Sequence, residues 1–191
     1  MKRKRRAFRK KRAAVDPSRL VVYDESSAKT NMTRLYARSF DGQRLVEACP
    51  HGHWQTTTML SSLRLDGTTA AMSLEGAVDA AAFEAYVEQV LLPTLHAGDI
   101  FLLDNLQVHK SAKVKELIEG VGAEIWFLSP YSPDYSPIEN MWSKVKAILR
   151  KIKARTQGAL EDAIGAALAA VTPQDAAGWF KHCGYRVYIQ P

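Results

Sequence analysis

The sequence predicts an α/β domain with a mixed sheet: an early antiparallel hairpin, later parallel strands, and flanking helices. Three observations lead there. The runs "LVVY" (20–23), "IFLL" (100–103) and "IWFL" (125–128) are apolar throughout, the pattern of strands buried on both faces. Helical periodicity alternates with the later runs, as parallel strands with crossover helices require. Asp66-Gly67 divides two strand-like stretches at hairpin spacing.

Taken in order, residues 2–12, "KRKRRAFRKKR", hold nine of the 26 Lys and Arg and no acid. Block charge of this kind repels itself and condenses on phosphate polymers, so residues 1–15 are expected to be a basic disordered tail or linker remnant. Residues 16–191 form the folded domain, whose 17 basic residues face 20 acidic ones. Asp16-Pro17-Ser18 is turn chemistry. The first strand follows at 20–23, with Asp24 at its end. The stretch 26–52 is mixed, with a turn signal at Asp41-Gly42. Residues 54–65 and "TTAAMSL" then make the hairpin.

Phe83, Tyr86, Val87, Val90 and Leu91 follow helical spacing, so 80–92 is an amphipathic helix closed by Pro93. The second strand (100–103) runs straight into Asp104. A short helix at 111–119 ends near Gly120, and a third buried strand spans 125–128. A proline-rich loop, "SPYSPDYSP", leads into a long helix at 137–153 and another at about 157–170. The last twenty residues have weak periodicity.

No run of 18 apolar residues exists, and no apolar stretch follows the basic start as a secretory signal would need. Two distant cysteines, Cys49 and Cys183, suggest no disulfide framework. The expected compartment is the cytoplasm.

Two strands ending on aspartate suggest a site, because ligands of α/β sheets bind beyond the carboxyl ends of strands. If the strands at 20–23 and 100–103 are parallel neighbours, Asp24 and Asp104 meet at one edge. Such a pair calls for a cation, and hard oxygen ligands suit Mg²⁺ or Mn²⁺. Glu139 has two readings. Ser136-x-x-Glu139 with Pro137 between them fits a capping box. Alternatively Glu139 is a third ligand, heading a helix that carries six basic residues and no acid between 140 and 155. Lys146, Arg150 and Lys153 recur on its face at phosphate-binding positions. "CPHGH" offers Cys49, His51 and His53 to zinc, but no fourth ligand lies nearby.

Together, "VVYDES", "GDIFLLDNLQVHKS", "FLSPYSPDYSPIENMWSKVK" and the closing "GWFKHCGY" resemble the DDE transposases of bacterial insertion sequences in the Tc/mariner superfamily. The resemblance spans about residues 20–185, and the 34 residues between Asp104 and Glu139 match the family's spacing. It departs from the family in Ser129, where a second proline is usual, and in Tyr135-Ser136, where Leu-Asn is usual.

The resemblance implies a ribonuclease H-like fold for a DDE catalytic domain at 16–191. Asp24, Asp104 and Glu139 would be the catalytic and metal-binding triad holding two Mg²⁺ or Mn²⁺ ions, with Asn105 and His109 shaping their surroundings. The implied activity is DNA cleavage and strand transfer, that is, transposition and integration. DNA, both element ends and target, would be the partner, met by Lys146, Arg150, Lys153 and the tail residues Arg3, Arg5 and Arg6. The chain would associate with the nucleoid. Family members form dimers that pair two DNA ends and carry an amino-terminal helix-turn-helix region. Here only the basic segment precedes the first strand, so a separately encoded helix-turn-helix half is a further expected partner. The rival readings are a truncated or inactive DNA-binding remnant and another ribonuclease H-like nuclease.

Overall fold

The computed structural model describes residues 2–187. Its elements are helix α1 (Lys2–Ala14), strands β1 (Leu20–Lys29), β2 (Thr56–Leu63) and β3 (Thr69–Glu75), helix α2 (Ala80–Tyr86), strand β4 (Ile100–Leu103), helix α3 (Ala112–Gly120), strand β5 (Glu124–Phe127), and helices α4 (Pro137–Ile152), α5 (Gln157–Ala169) and α6 (Pro173–His182). The sheet order is β3-β2-β1-β4-β5. β1, β2 and β3 are mutually antiparallel, whereas β1, β4 and β5 run parallel. This is the mixed sheet expected from the sequence.

Alternation along β1 divides the core. Leu20 and Val22 face a cluster built with Ile138, Met141, Val145 and Leu149 of α4, Leu160 and Ile164 of α5, and Phe180 of α6. Val21 and Tyr23 face the opposite cluster, with Phe83 and Tyr86 of α2 and Val114 and Ile118 of α3. Two helical layers thus enclose the sheet, and residues of one parity on β1 project toward α4.

Several elements depart from expectation. The basic segment is helix α1 rather than a disordered tail. Phe8 is buried in the α4 cluster. Arg5, Lys11 and Arg12, three or four residues away on the same helical face, lay their charges on aromatic rings. Arg5 and Arg12 lie 4.6 and 4.8 Å from the Tyr135 ring centre, and Lys11 lies 3.4 Å from that of Trp126. Cation–π contact of this kind offsets the self-repulsion that argued for disorder.

β1 is longer than "LVVY" and runs through Asp24 to Lys29, because β2 pairs with it as far as Lys29↔Thr56. The run at 125–128 is the edge strand β5, only partly covered, with Phe127 38% exposed. Helix α2 loosens after Tyr86 into a π turn (Val87–Leu91) and a 3₁₀ turn (Leu92–Thr94), where Pro93 offers no amide to continue the ladder. Helix α6 lies in the stretch that showed weak periodicity. Its start was legible in Thr172-Pro173-Gln174-Asp175, which forms a capping box with Pro at N1.

Residues 31–55 form a long loop whose roots are joined by Thr30 N–H to Gln55 O at 3.1 Å. Arg155 fastens the same end by donating to the carbonyls of Thr30 and Met32 at 2.9 and 2.8 Å. Among the described residues no helix is long and apolar enough to cross a membrane.

Candidate active site

The parallel register of β1 and β4 ends at Val22↔Leu102, and two residues further along each chain lie Asp24 and Asp104. Asp24 is fixed within β1, opposite Ser61 of β2. Asp104 follows the last residue of β4, where an Asx turn begins. Its Oδ1 accepts the Leu106 amide at 3.0 Å and lies 2.6 Å from His109 Nδ1. Asp24, Asp104 and Glu139 all line one cavity of about 570 Å³, together with Asn105 and the proline loop.

Glu139 is in the first turn of α4, and its carboxylate is exposed. The capping box read from the sequence does not form, since Ser136 makes no side-chain cap bond. The Ser136 amide is instead engaged in a 3₁₀ turn on Pro133 O at 2.9 Å, so it does not receive the Glu139 carboxylate. Glu139 is therefore not engaged as a cap.

The proline loop that sets the start of α4 is held from both sides. From α1, Arg5 forms a two-pronged pair with Asp134 at 2.7 and 3.0 Å and also donates to Ser132 Oγ at 2.7 Å and Tyr131 O at 3.0 Å. Phe8 stacks on Tyr135 at 5.4 Å. From the carboxyl-terminal side, the Tyr185 hydroxyl donates to Tyr135 O at 2.8 Å, and Arg12 donates to Cys183 O. Tyr131 adopts φ of 54° at the cavity rim, a left-handed conformation that is unusual for a bulky residue.

Electrostatics join the three carboxylates. Burial, then the charges of Glu139, Asp104 and Glu25, push Asp24 up to about 7. Burial would also raise Asp104, but its bonds from His109 and the Leu106 amide outweigh that and hold it below the usual carboxylate range. His109 is 3% exposed and bridges Asp104 to Glu25, its Nε2 being 3.1 Å from Glu25 Oε1. Burial alone would lower its pKa, yet the two carboxylates raise it to about 9. The Tyr23 hydroxyl donates to the same Glu25 oxygen at 2.8 Å. Glu25 is a member that sequence reasoning missed; the signal was an acid beside Asp24 with the opposite strand parity.

Hard carboxylate oxygens converging on one cavity have the donor chemistry for Mg²⁺ or Mn²⁺. Among the described residues, though, no group of three or more His, Cys, Asp or Glu side chains is drawn together tightly enough to hold an ion. That covers the "CPHGH" zinc reading too; Cys49 Sγ instead contacts Asn31 O at 3.3 Å.

Asn105 lines the cavity without a hydrogen bond to any of the three carboxylates, and none of the six expected DNA-contacting cations lines it. Lys146 and Arg150 are half-exposed on α4 and make no ion pair among the described residues, whereas Lys153 caps α4 and pairs with Glu47. Arg3 and Arg6 are exposed. Arg5 differs from its expected role, its guanidinium being engaged with the proline loop.

Comparison with known proteins adds the following. The family model described as DDE superfamily endonuclease matches residues 19–161. No curated protein matches the chain. Among solved structures, a pre-cleavage Mos1 transpososome superposes with a TM-score of 0.71 at 18% identity, covering 94% of this chain and 57% of that one. A Mos1 mariner paired-end complex with Mn gives 0.68 at 20% identity, covering 91% and 54%. The catalytic domain of Mos1 mariner transposase gives 0.62 at 17%, covering 91% and 80%. At these identities the likeness is one of fold. The chain spans little more than half the length of the Mos1 chains in those complexes.

Proposed function

The chain belongs to the DDE superfamily endonucleases, and on that premise we propose that it is the catalytic domain of an insertion-sequence transposase, cleaving DNA and joining the freed end to a target. The observation that carries this reading is the convergence of Asp24, Asp104 and Glu139 on one cavity beyond β1 and β4, with Asp24 raised first by burial and then by the charges of Glu139, Asp104 and Glu25. Asp24, Asp104 and Glu139 would hold two Mg²⁺ or Mn²⁺ ions. What such ions supply when bound is activation of the attacking oxygen and stabilisation of the leaving oxygen of an in-line phosphoryl displacement.

The protein's own part is placement and charge. Asp24 is immobilised by pairing within β1, and Asp104 is aimed by its Asx turn and by the protonated His109 behind it. Glu139 is carried on a helix end whose position is set by the clamped proline loop, and its charge suits the amino-terminal end of α4. Lys146 and Arg150, without an ion pair among the described residues, offer cations to DNA phosphates further along α4. A homodimer pairing two DNA ends, and a helix-turn-helix half on another chain, complete the reading; support for pairing comes from the related Mos1 paired-end complexes. The place of action is DNA in the cytoplasm.

The test is calorimetric titration of Mn²⁺ into wild type and Glu139→Gln, with metal-free melting of each. The wild type should bind Mn²⁺ and the variant at least about tenfold more weakly, because an amide is a poor ligand for a hard cation. Metal-free melting should change little, since Glu139 is exposed and caps nothing, and losing its charge at the α4 amino terminus is offset by relief of its repulsion with Asp24. Equal binding by both proteins removes Glu139 from the triad and favours a DNA-binding remnant.

A further inference from the structure

The carboxylate cavity does not end at Asn105. A second cavity of about 350 Å³ shares Asn105, Leu128, Ser129 and Pro130 with it and is lined from α1 by Lys4 and Lys11. A third, of about 580 Å³, meets the second at Phe127 and is lined by Lys110 and Lys115. The three cavities thus adjoin through shared lining residues, from the carboxylates to the edge strand β5. Four lysines line the outer two cavities against one acid, Glu119, which faces Lys115 at 3.8 Å, and Lys11 also lies over the Trp126 ring at 3.4 Å. Phe127 is at the crossing point and is partly exposed. It ends the edge strand β5 and lines both outer cavities, where a planar partner would meet its ring.

Cations spaced along a groove with an aromatic ring between them are the pattern that binds single-stranded nucleic acid: phosphates meet the cations, and a base stacks on the ring. Resting on the DNA-cleaving reading above, we propose that one DNA strand passes from the carboxylate cavity by Asn105 and across the β5 edge. A base stacks on Phe127 there, between Lys4 and Lys11 on one side and Lys110 and Lys115 on the other. The occupant is a single strand because stacking on Phe127 requires an unpaired base face. The channel therefore holds an end freed by cleavage or opened beside the cleavage site, while the basic face of α4 meets the duplex.

The experiment uses the whole chain in EDTA and a fluorescein-labelled 20-nucleotide oligothymidine, read by anisotropy at several salt concentrations. Phe127→Ala should weaken binding about 5- to 150-fold, the range for losing one base stack, with the salt dependence unchanged. Phe127→Tyr should restore it, and a melt checks that each variant folds. Lys110→Ala with Lys115→Ala should flatten the slope of log affinity against log salt by about 1.4, at about 0.7 per single-strand phosphate contact. Metal-dependent nicking of a duplex oligonucleotide by the same wild-type preparation separates the two readings. If the wild type nicks DNA but the folded variants bind the oligothymidine as it does, the channel assignment is wrong and the catalytic reading stands. If the wild type neither binds nor nicks, both are overturned.

Discussion

Phe8→Ala tests whether α1 is part of the folded domain and whether the proline loop depends on it. Phe8 is 7% exposed and stacks on Tyr135 at 5.4 Å with an interplanar angle of 14°. Burying a phenylalanine side chain contributes about 1.5–3 kcal/mol, and an aromatic pair adds about 0.5–1.5 kcal/mol. Truncation should therefore cost about 3 kcal/mol, at the lower end of measured Phe→Ala losses. The Arg5–Asp134 pair is solvent-screened and adds nothing to this figure. For a domain of this size each kcal/mol shifts Tm by about 2–4 °C, so the expected fall is about 6–12 °C. Hydrogen exchange locates the loss: amides of α1 and of residues 129–136 should exchange faster in the variant, and those of β1 and β4 should not. A melt within about 2 °C of wild type, with α1 exchanging as a free peptide in both proteins, would refute the docked helix.

Four further outcomes are expected. Glu139→Gln should lose Mn²⁺ binding without loss of metal-free stability, as calorimetry and melting will show. His109 is raised from 6.5 to about 9 in the folded protein, so its contribution is fully present below about pH 6.5 and lost as pH rises through 9; urea melts in EDTA should fall across that window, and His109→Gln should flatten the fall. Asp99→Ala leaves Arg64 without its two-pronged partner at 3.2 and 2.5 Å, both groups being nearly buried, and should cost about 3–5 kcal/mol in urea. Asp99 itself is held low, burial opposing and Arg64 prevailing, so that contribution is present above pH ~4 and lost on acidification. Gly67→Ala should cost more than about 1 kcal/mol, since φ is +85° and a Cβ would come within 2.9 Å of the Thr172–Pro173 backbone; thermal melting will measure it.

Much of the site was legible because its geometry follows from strand patterning. Apolar runs at 20–23 and 100–103 marked two strands, each ending on an aspartate, and the parallel pairing posed there as a condition brings Asp24 level with Asp104. Local pattern failed where long-range contacts decide. Nine charges in residues 2–12 argued for disorder, and nothing nearby in sequence revealed that Tyr135 and Trp126 would receive that face. "IWFL" reads as buried whether it is central or at an edge, since apolar character cannot report a missing neighbour strand. Ser136-x-x-Glu139 satisfied the capping pattern, but the preceding 3₁₀ turn takes the Ser136 amide that the box would offer to Glu139. Thr172-x-x-Asp175 carries the same pattern and does form the box.

The clamp on the proline loop has a consequence for synthesis. Asp24 and Asp104 are placed by strands that end by residue 103, but the loop before Glu139 is gripped by Arg5 across 126–129 residues of sequence and by Tyr185 from 50 residues downstream. Contacts of such separation form late, after loop closure has been overcome, and a chain growing from its amino terminus cannot make the Tyr185 bond until nearly all of it has been translated. The third carboxylate is thus set last. A nascent chain would carry Asp24 and Asp104 in register before the position of Glu139 is fixed.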